Sequence, residues 1–298
     1  MKHRHNWAVP REGIFTTHGL VNGTAMCIDT FTHPGDGVIL FTPVYHSFAK
    51  VIKANNRQII EMELVNNNGH YEMDFDTYDE IIPTNARMVI FCSPHNPGGR
   101  VWSQPELKQL ADFVNRHDLI LISDEIHHDL TFGAKHTPMV HINGIKDRLI
   151  MMTATTKTFN IAGGHVGNVI IENPDLRDRF AKRMTALGLS PNAFGLHMAT
   201  AAYSEGGAAW LDVLVKYLDG NRKLFDAGIN DIPGLKSMQL EATYLAWVDF
   251  SRTGMTKEDF TARVESSAKI AVNHGPTFGS GGEQFLRFNI GTTRANIE

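Results

Sequence analysis

Short apolar runs punctuate the first part of the chain, at residues 38–41, 88–92, 119–122, 149–152 and 169–171. Each is continuous rather than alternating, rich in Val, Ile, Leu, Met or Phe, and closed by a polar or Gly/Pro-rich turn. Strands covered on both faces read this way, because neither face meets water. Helical periodicity fills the intervals. Ser103-Gln104-Pro105-Glu106 fits a capping box with proline in the first turn. Leu107, Leu110, Ala111 and Val114 then recur at i, i+3, i+4 and i+7 and predict one buried helix face. Strand, crossover helix, strand predicts an α/β architecture, a mostly parallel sheet sandwiched by helices. Near Pro174 the pattern changes. Leu211, Leu214, Val215 and Leu218 keep helical spacing, and short elements follow at 244–250 and 285–290. The chain is expected to divide into a large α/β domain over 12–175 and, over 176–298, a linking helix and a smaller C-terminal α+β domain.

In an open parallel sheet, ligands bind outside the carboxyl ends of the strands. The residues just after each run are therefore the place to look for chemistry. The first run leads to Tyr45, the second to His95-Asn96-Pro97, the third to Asp124-Glu125-Ile126-His127-His128-Asp129, and the fourth to Thr155-Thr156-Lys157. A tyrosine, an amide, a carboxylate, histidines and a lysine should share one edge.

Composition narrows the classes. A net charge of −4 from 28 basic and 32 acidic residues excludes a strongly basic nucleic-acid binder. No apolar run approaches the roughly 20 residues that span a bilayer. Two cysteines, Cys27 and Cys92, build no disulfide framework and point to a reducing, cytoplasmic setting. Fifteen histidines and the crowded 124–129 segment raise the question of a metal. There is no His-Glu-x-x-His and no cysteine pattern for zinc, so no metal is expected. Gly279-Ser280-Gly281-Gly282 lacks the strand–Gly-rich–helix order of a nucleotide cradle and reads as an entrance loop.

The segments SPHNPGGRVW, SDEIHHDL and TKTFNIAGG, in that order, resemble the fold-type I pyridoxal-phosphate (PLP) enzymes of the class I/II aminotransferase family. Within it they look most like the cystathionine β-lyase-like branch of C–S lyases. The resemblance covers 7–294. It implies that Lys157 holds PLP covalently and removes the substrate Cα proton, a general-base role typically worth ~10²–10⁴-fold. Asp124 would meet the pyridine nitrogen and keep it protonated. Asn96 and His127 would reach the ring's phenolic oxygen, and Tyr45 would stack on the ring. The phosphate would sit on the backbone N–H groups of Leu20 and Val21, within Thr17-His18-Gly19-Leu20-Val21-Asn22-Gly23, helped by the hydroxyls of Thr155 and Thr156. Arg287 would clamp the substrate carboxylate in bidentate fashion. Blander readings stay open for each: a helix-capping Asp124, a turn Asn96, a packed His127, a core Tyr45, a surface Lys157, an ion-paired Arg287. The chain departs from the pattern at Ala154, where relatives often carry a phosphate-binding serine, and at His165, where they carry Arg or Lys.

The implied activity is β-elimination from cystathionine, cysteine or cysteine S-conjugates, giving pyruvate, ammonia and a thiol. An aminotransferase would use the same residues. A non-catalytic remnant is the reading from another class, favoured by Ala154 and His165. The partners implied are a small amino-acid substrate and a second copy in a homodimer, with no nucleic acid and no membrane. Members of the family usually carry a further N-terminal segment. Without it, this chain taken alone is expected to show reduced solubility or cofactor affinity.

Overall fold

A computed structural model describes residues 1–298. Its strands are β1 (Ile14–Thr17), β2 (Gly37–Thr42), β3 (Gln58–Glu63), β4 (Val65–Asn67), β5 (His70–Glu72), β6 (Ala86–Cys92), β7 (Ile120–Asp124), β8 (Leu149–Thr153), β9 (Gly167–Ile170), β10 (Lys236–Ser237), β11 (Leu245–Asp249), β12 (Asn273–His274) and β13 (Phe285–Asn289). Its helices are α1 (Lys2–His5), α2 (Leu20–Phe31), α3 (Ser47–Ala54), α4 (Phe75–Ile81), α5 (Gln104–Arg116), α6 (Pro174–Ala186), α7 (Ala193–Ala202), α8 (Glu205–Asn230) and α9 (Lys257–Ala262).

Seven strands form the main sheet in the order β1-β9-β8-β7-β6-β2-β3. From β3 across to β8 every pairing is parallel. Side chains alternate between two cores, as the strand period demands. Ile39, Phe41, Val89 and Phe91 enter one core with α5 residues Leu107, Leu110, Ala111 and Val114. Val38, Leu40, Met88 and Ile90 enter the other with Phe48 of α3 and Phe180 of α6. The runs are apolar throughout because both faces are covered. The predicted capping box closes α5: Glu106 N donates to Ser103 Oγ (3.4 Å) and Ser103 N donates to Glu106 Oε2 (2.7 Å).

The run at 169–171, grouped by its pattern with the parallel strands, is antiparallel. β9 pairs with β8 through Met152 opposite Val169, and β1 pairs antiparallel with β9. A short apolar run carries no direction of its own. The connection sets it, and between β8 and β9 there is one 3₁₀ turn and no crossover helix, so the chain returns beside itself. The polar edge strand β3 and the β4–β5 hairpin carried no such apolar signal.

The last part of the chain builds a four-stranded antiparallel sheet, β10-β11-β13-β12. The helical spacing at 211–218 belongs to α8, which runs for 26 residues. Phe260 of α9 joins Val248, Leu286 and Phe288 in this sheet's core, with Phe225 and Ile229 of α8 packed against it. Met238, Trp247, Phe278 and Phe285 instead extend the main core. The two sheets therefore meet through apolar contact, and a cleft opens where their polar edges face each other.

Candidate active site

The carboxyl ends of β2, β6, β7 and β8 lie on one edge. The return of β9 places its first residue there, and β1 delivers its last. Into that edge opens a cavity of about 440 Å³, lined among others by Tyr45, Asn96, Asp124, His127, Thr156 and Lys157, with Leu20 and Val21 at one end and Arg287 on the wall from β13. Thr155 is the exception among the expected residues. It is buried beside Thr156, off the cavity wall, and its Oγ1 has no partner.

At the α2 end, β1 stops at Thr17 and Gly19 turns the chain with φ +94°. Glycine supplies that conformation without steric cost. Gly23 N–H is accepted by Gly19 O (3.1 Å), leaving the N–H groups of Leu20, Val21 and Asn22 without a helical acceptor. A Cβ on Gly167 would lie 2.9 Å from Leu20 N, so only glycine at the start of β9 lets this helix end approach the sheet. His165, exposed and left-handed at φ 42°, completes this rim, while Ala154 is buried behind it.

At the other end Asp124 closes β7. Its Oδ1 accepts Ile126 N–H (3.1 Å). Burial dominates and pushes its pKa up to about 7. Ile126 N–H opposes that rise, Glu125 adds to it, and Lys157 and His128 oppose it. Lys157, half-buried, is lowered by burial and by Arg287, against the pull of Asp124. His127 is held down to about 3 by burial and then by Lys157 and Arg287, so it is neutral, and its buried Nδ1 has no partner.

Arg287 is buried and makes no ion pair. Nη1 donates to Asn96 Oδ1 (2.8 Å) and Nη2 to Asn273 Oδ1 (2.7 Å), and the guanidinium lies 4.8 Å from the Phe278 ring centre. Its buried Nε is unpartnered. Because Asn96 spends its oxygen on Arg287, its NH₂ group is the donor left for the cavity.

The 124–129 segment separates into three environments. Asp124 and His127 line the cavity. Glu125 turns away and accepts from Ser123 Oγ (3.0 Å), Met139 N (2.8 Å) and His136 Nε2 (2.8 Å). Asp129 bonds His5 Nε2 (2.7 Å), beside His128. The glycine-rich loop lies over the ends of β2 and β3: Ser280 N donates to Glu61 Oε2 (3.0 Å), and Gly279 packs on Thr42.

Sequence reading overlooked several wall residues and one that stands behind Arg287. His46 follows Tyr45 and was legible by adjacency. Cys92 ends β6 opposite Asp124, and its membership of a run hid it. Tyr244, whose ring centre lies 6.1 Å from that of His127, immediately precedes β11, and Asn273 of β12 orients Arg287 without lining the cavity; nothing local marks either.

The residues present fit pyridoxal phosphate. A helix N-terminus with free N–H groups suits a phosphate. A buried carboxyl destabilised as an anion suits a cationic ring nitrogen. Unpartnered donors wait between them. Comparison with known proteins agrees with this fit. The family model for aminotransferase class I and II matches residues 1–298. The chain is 35% identical over 303 aligned positions to cystathionine beta-lyase PatB of Bacillus subtilis, covering 100% of this chain and 78% of that protein. It superposes on cystalysin of Treponema denticola, whose crystal structure contains pyridoxal 5'-phosphate, with a TM-score of 0.95 and 39% identity, over 100% of this chain and 76% of that one. On the PLP-bound C-S lyase of Staphylococcus hominis in complex with L-cycloserine, the TM-score is 0.91 and the identity 30%, over 99% of this chain and 77% of that one. With its whole length matched and its cavity built from these residues, the chain belongs to the aminotransferase class I and II family.

Proposed function

We propose that this protein is a PLP-dependent C–S β-lyase that converts an S-substituted cysteine to a thiol, pyruvate and ammonia. The observation that carries the reading is the meeting of Lys157, Asp124 and Arg287 in one cavity, each shifting another's charge state. The relatives named as cystathionine β-lyase and C–S lyase support the choice of reaction.

The cofactor supplies an electron sink for the charge left at the substrate Cα. Asp124 would hold the proton on the ring nitrogen, since a buried carboxylate is stabilised by a cation beside it. Asn96, through its NH₂, and His127 would reach the ring's phenolic oxygen, and Tyr45 would pack against the ring. The N–H groups of Leu20 and Val21, with the Thr156 hydroxyl, would hold the phosphate. Arg287, aimed by Asn96 and Asn273, binds the substrate α-carboxylate in bidentate fashion. Lys157 Nζ holds the cofactor and then takes the Cα proton. Its lowered basicity keeps more of it in the free-amine form at neutral pH.

A second copy as partner is supported by the apolar surface of α7 and α8, where Phe194 is 78% and Val213 67% exposed, with Trp210 and Tyr217 beside them. No helix is long and apolar enough to cross a membrane. The two buried free thiols suit a reducing cytoplasm.

Incubation of the PLP-loaded protein with cystathionine tests the activity. Pyruvate formed without an added keto acid is the expected result. Strict dependence on a keto acid would make the protein an aminotransferase, and absence of the visible band of lysine-bound PLP would make it a non-catalytic relative. Sedimentation of the loaded protein at twice the chain mass is the expected result for the dimer.

A further inference from the structure

The catalytic cavity does not end at His46. The same imidazole lines a second, open groove of about 580 Å³, walled by Ala49, Lys50 and Lys53 of α3 on one side and by Glu265, Asn273, His274 and Thr277 on the other. His46, Lys50 and Lys53 stand at i, i+4 and i+7 and so share one helix face. The only carboxylate among the lining residues, Glu265, is bound by His274 Nε2 at 2.9 Å. Lys50 and Lys53 enter no ion pair, so the free cations on the groove wall outnumber its one carboxylate. His46 Nδ1 is buried at the junction without a hydrogen-bond partner. Asn273 belongs to the groove wall and also orients Arg287, so the groove opens beside the end of the cavity where a substrate carboxylate is held.

We infer that this groove receives the distal end of the substrate's side chain and selects amino acids whose S-linked substituent ends in a carboxylate. The inference rests on the C–S lyase reading for the location of the substrate's α-carboxylate and deepens it by naming the substrate class. The α-carboxylate meets Arg287, the substituent passes His46, which offers it a polar atom, and the terminal anion lies over Lys50 and Lys53. A neutral terminus gains nothing there, and a cationic one is repelled.

Binding is read by isothermal titration of the PLP-loaded protein with 2-aminoadipate and 2-aminopimelate, each against its distal monoamide. None has a leaving group at Cβ, so no elimination is needed. Each acid is expected to bind about fivefold tighter than its amide at low salt, the scale of partly exposed charge pairs. The preference should shrink at high salt and invert in Lys50→Glu/Lys53→Glu. Both lysines are exposed, so this variant keeps its fold. Equal binding of acid and amide, no binding by any of the four, or a preference that survives the charge reversal overturns the inference. Pyruvate formation from S-ethylcysteine without a keto acid tests the lyase reading separately. Pyruvate without an acid preference removes the groove alone, and an acid preference without pyruvate removes the lyase alone.

Discussion

Asp124 and Glu125 are adjacent carboxylates, both buried, and they face opposite worlds. Glu125 looks into the scaffold, where a serine hydroxyl, a backbone N–H and an imidazole satisfy it. Asp124 looks into the cavity, where one backbone N–H is its only hydrogen bond. Two arginines show the same division. Arg100 in the scaffold is paired with Glu106 and Glu241, whereas Arg287 on the cavity wall keeps a buried Nε with no partner. Burying a polar group without partners costs free energy, so groups left that way on a cavity wall mark where a ligand can complete the structure. Satisfied groups mark where the fold is already complete.

Substitutions can break this contrast. Lys157→Ala should lower turnover by ~10²–10⁴-fold or more and abolish the visible band of bound PLP, with the thermal midpoint of the cofactor-free protein unchanged. A large fall in the midpoint would place Lys157 with the scaffold instead. Glu125→Ala should do the reverse. Removing one member of a buried pair costs about 3–5 kcal/mol, read as a lower denaturant midpoint.

Asp124→Asn sharpens the contrast through pH. In the cofactor-free protein the folded-state pKa of Asp124, about 7, lies above its unfolded value, so the folded state binds the proton more tightly. The stability this gives is present below about pH 4 and is lost as the pH rises through about 7, at up to ~1.4 kcal/mol per pH unit. Urea unfolding at a series of pH values should show that loss in the native chain and a flatter profile in Asp124→Asn. Arg287→Lys removes the fork that engages Asn96, Asn273 and a carboxylate together. KM should rise about ten- to a hundredfold, the scale of hydrogen bonds to charged groups, with kcat changed less. The smallest effect belongs to the scaffold: Ser103→Ala should cost about 1 kcal/mol in stability and leave turnover unchanged.

Much of the site was readable before any coordinates. Strands at 38–41, 88–92, 119–122 and 149–152 show as continuous apolar runs because their faces are covered, and a parallel sheet sends the residues after them to one edge. That places Tyr45, Asn96, Asp124 and Lys157 together from pattern alone. Arg287 was found by resemblance, since nothing in Phe285-Leu286-Arg287-Phe288 says what it faces. Tyr244 and Asn273 gave no signal, because the first reaches the cavity and the second reaches Arg287 from a distant part of the chain. Thr155 and Thr156 are neighbours with the same hydroxyl, and only packing tells which one the cavity meets.

By itself, then, the chain's pattern determined where five strands of the main sheet and the capped helix lie and which chemical groups gather at the sheet edge, because burial and capping act between residues near in sequence. Tertiary structure alone decided the return of β9, the pairing of Arg287 with Asn96, the opposite fates of Asp124 and Glu125, and the place of His46 between two cavities. Those depend on the course of the connections and on charges brought together from distant parts of the chain, which no local pattern records.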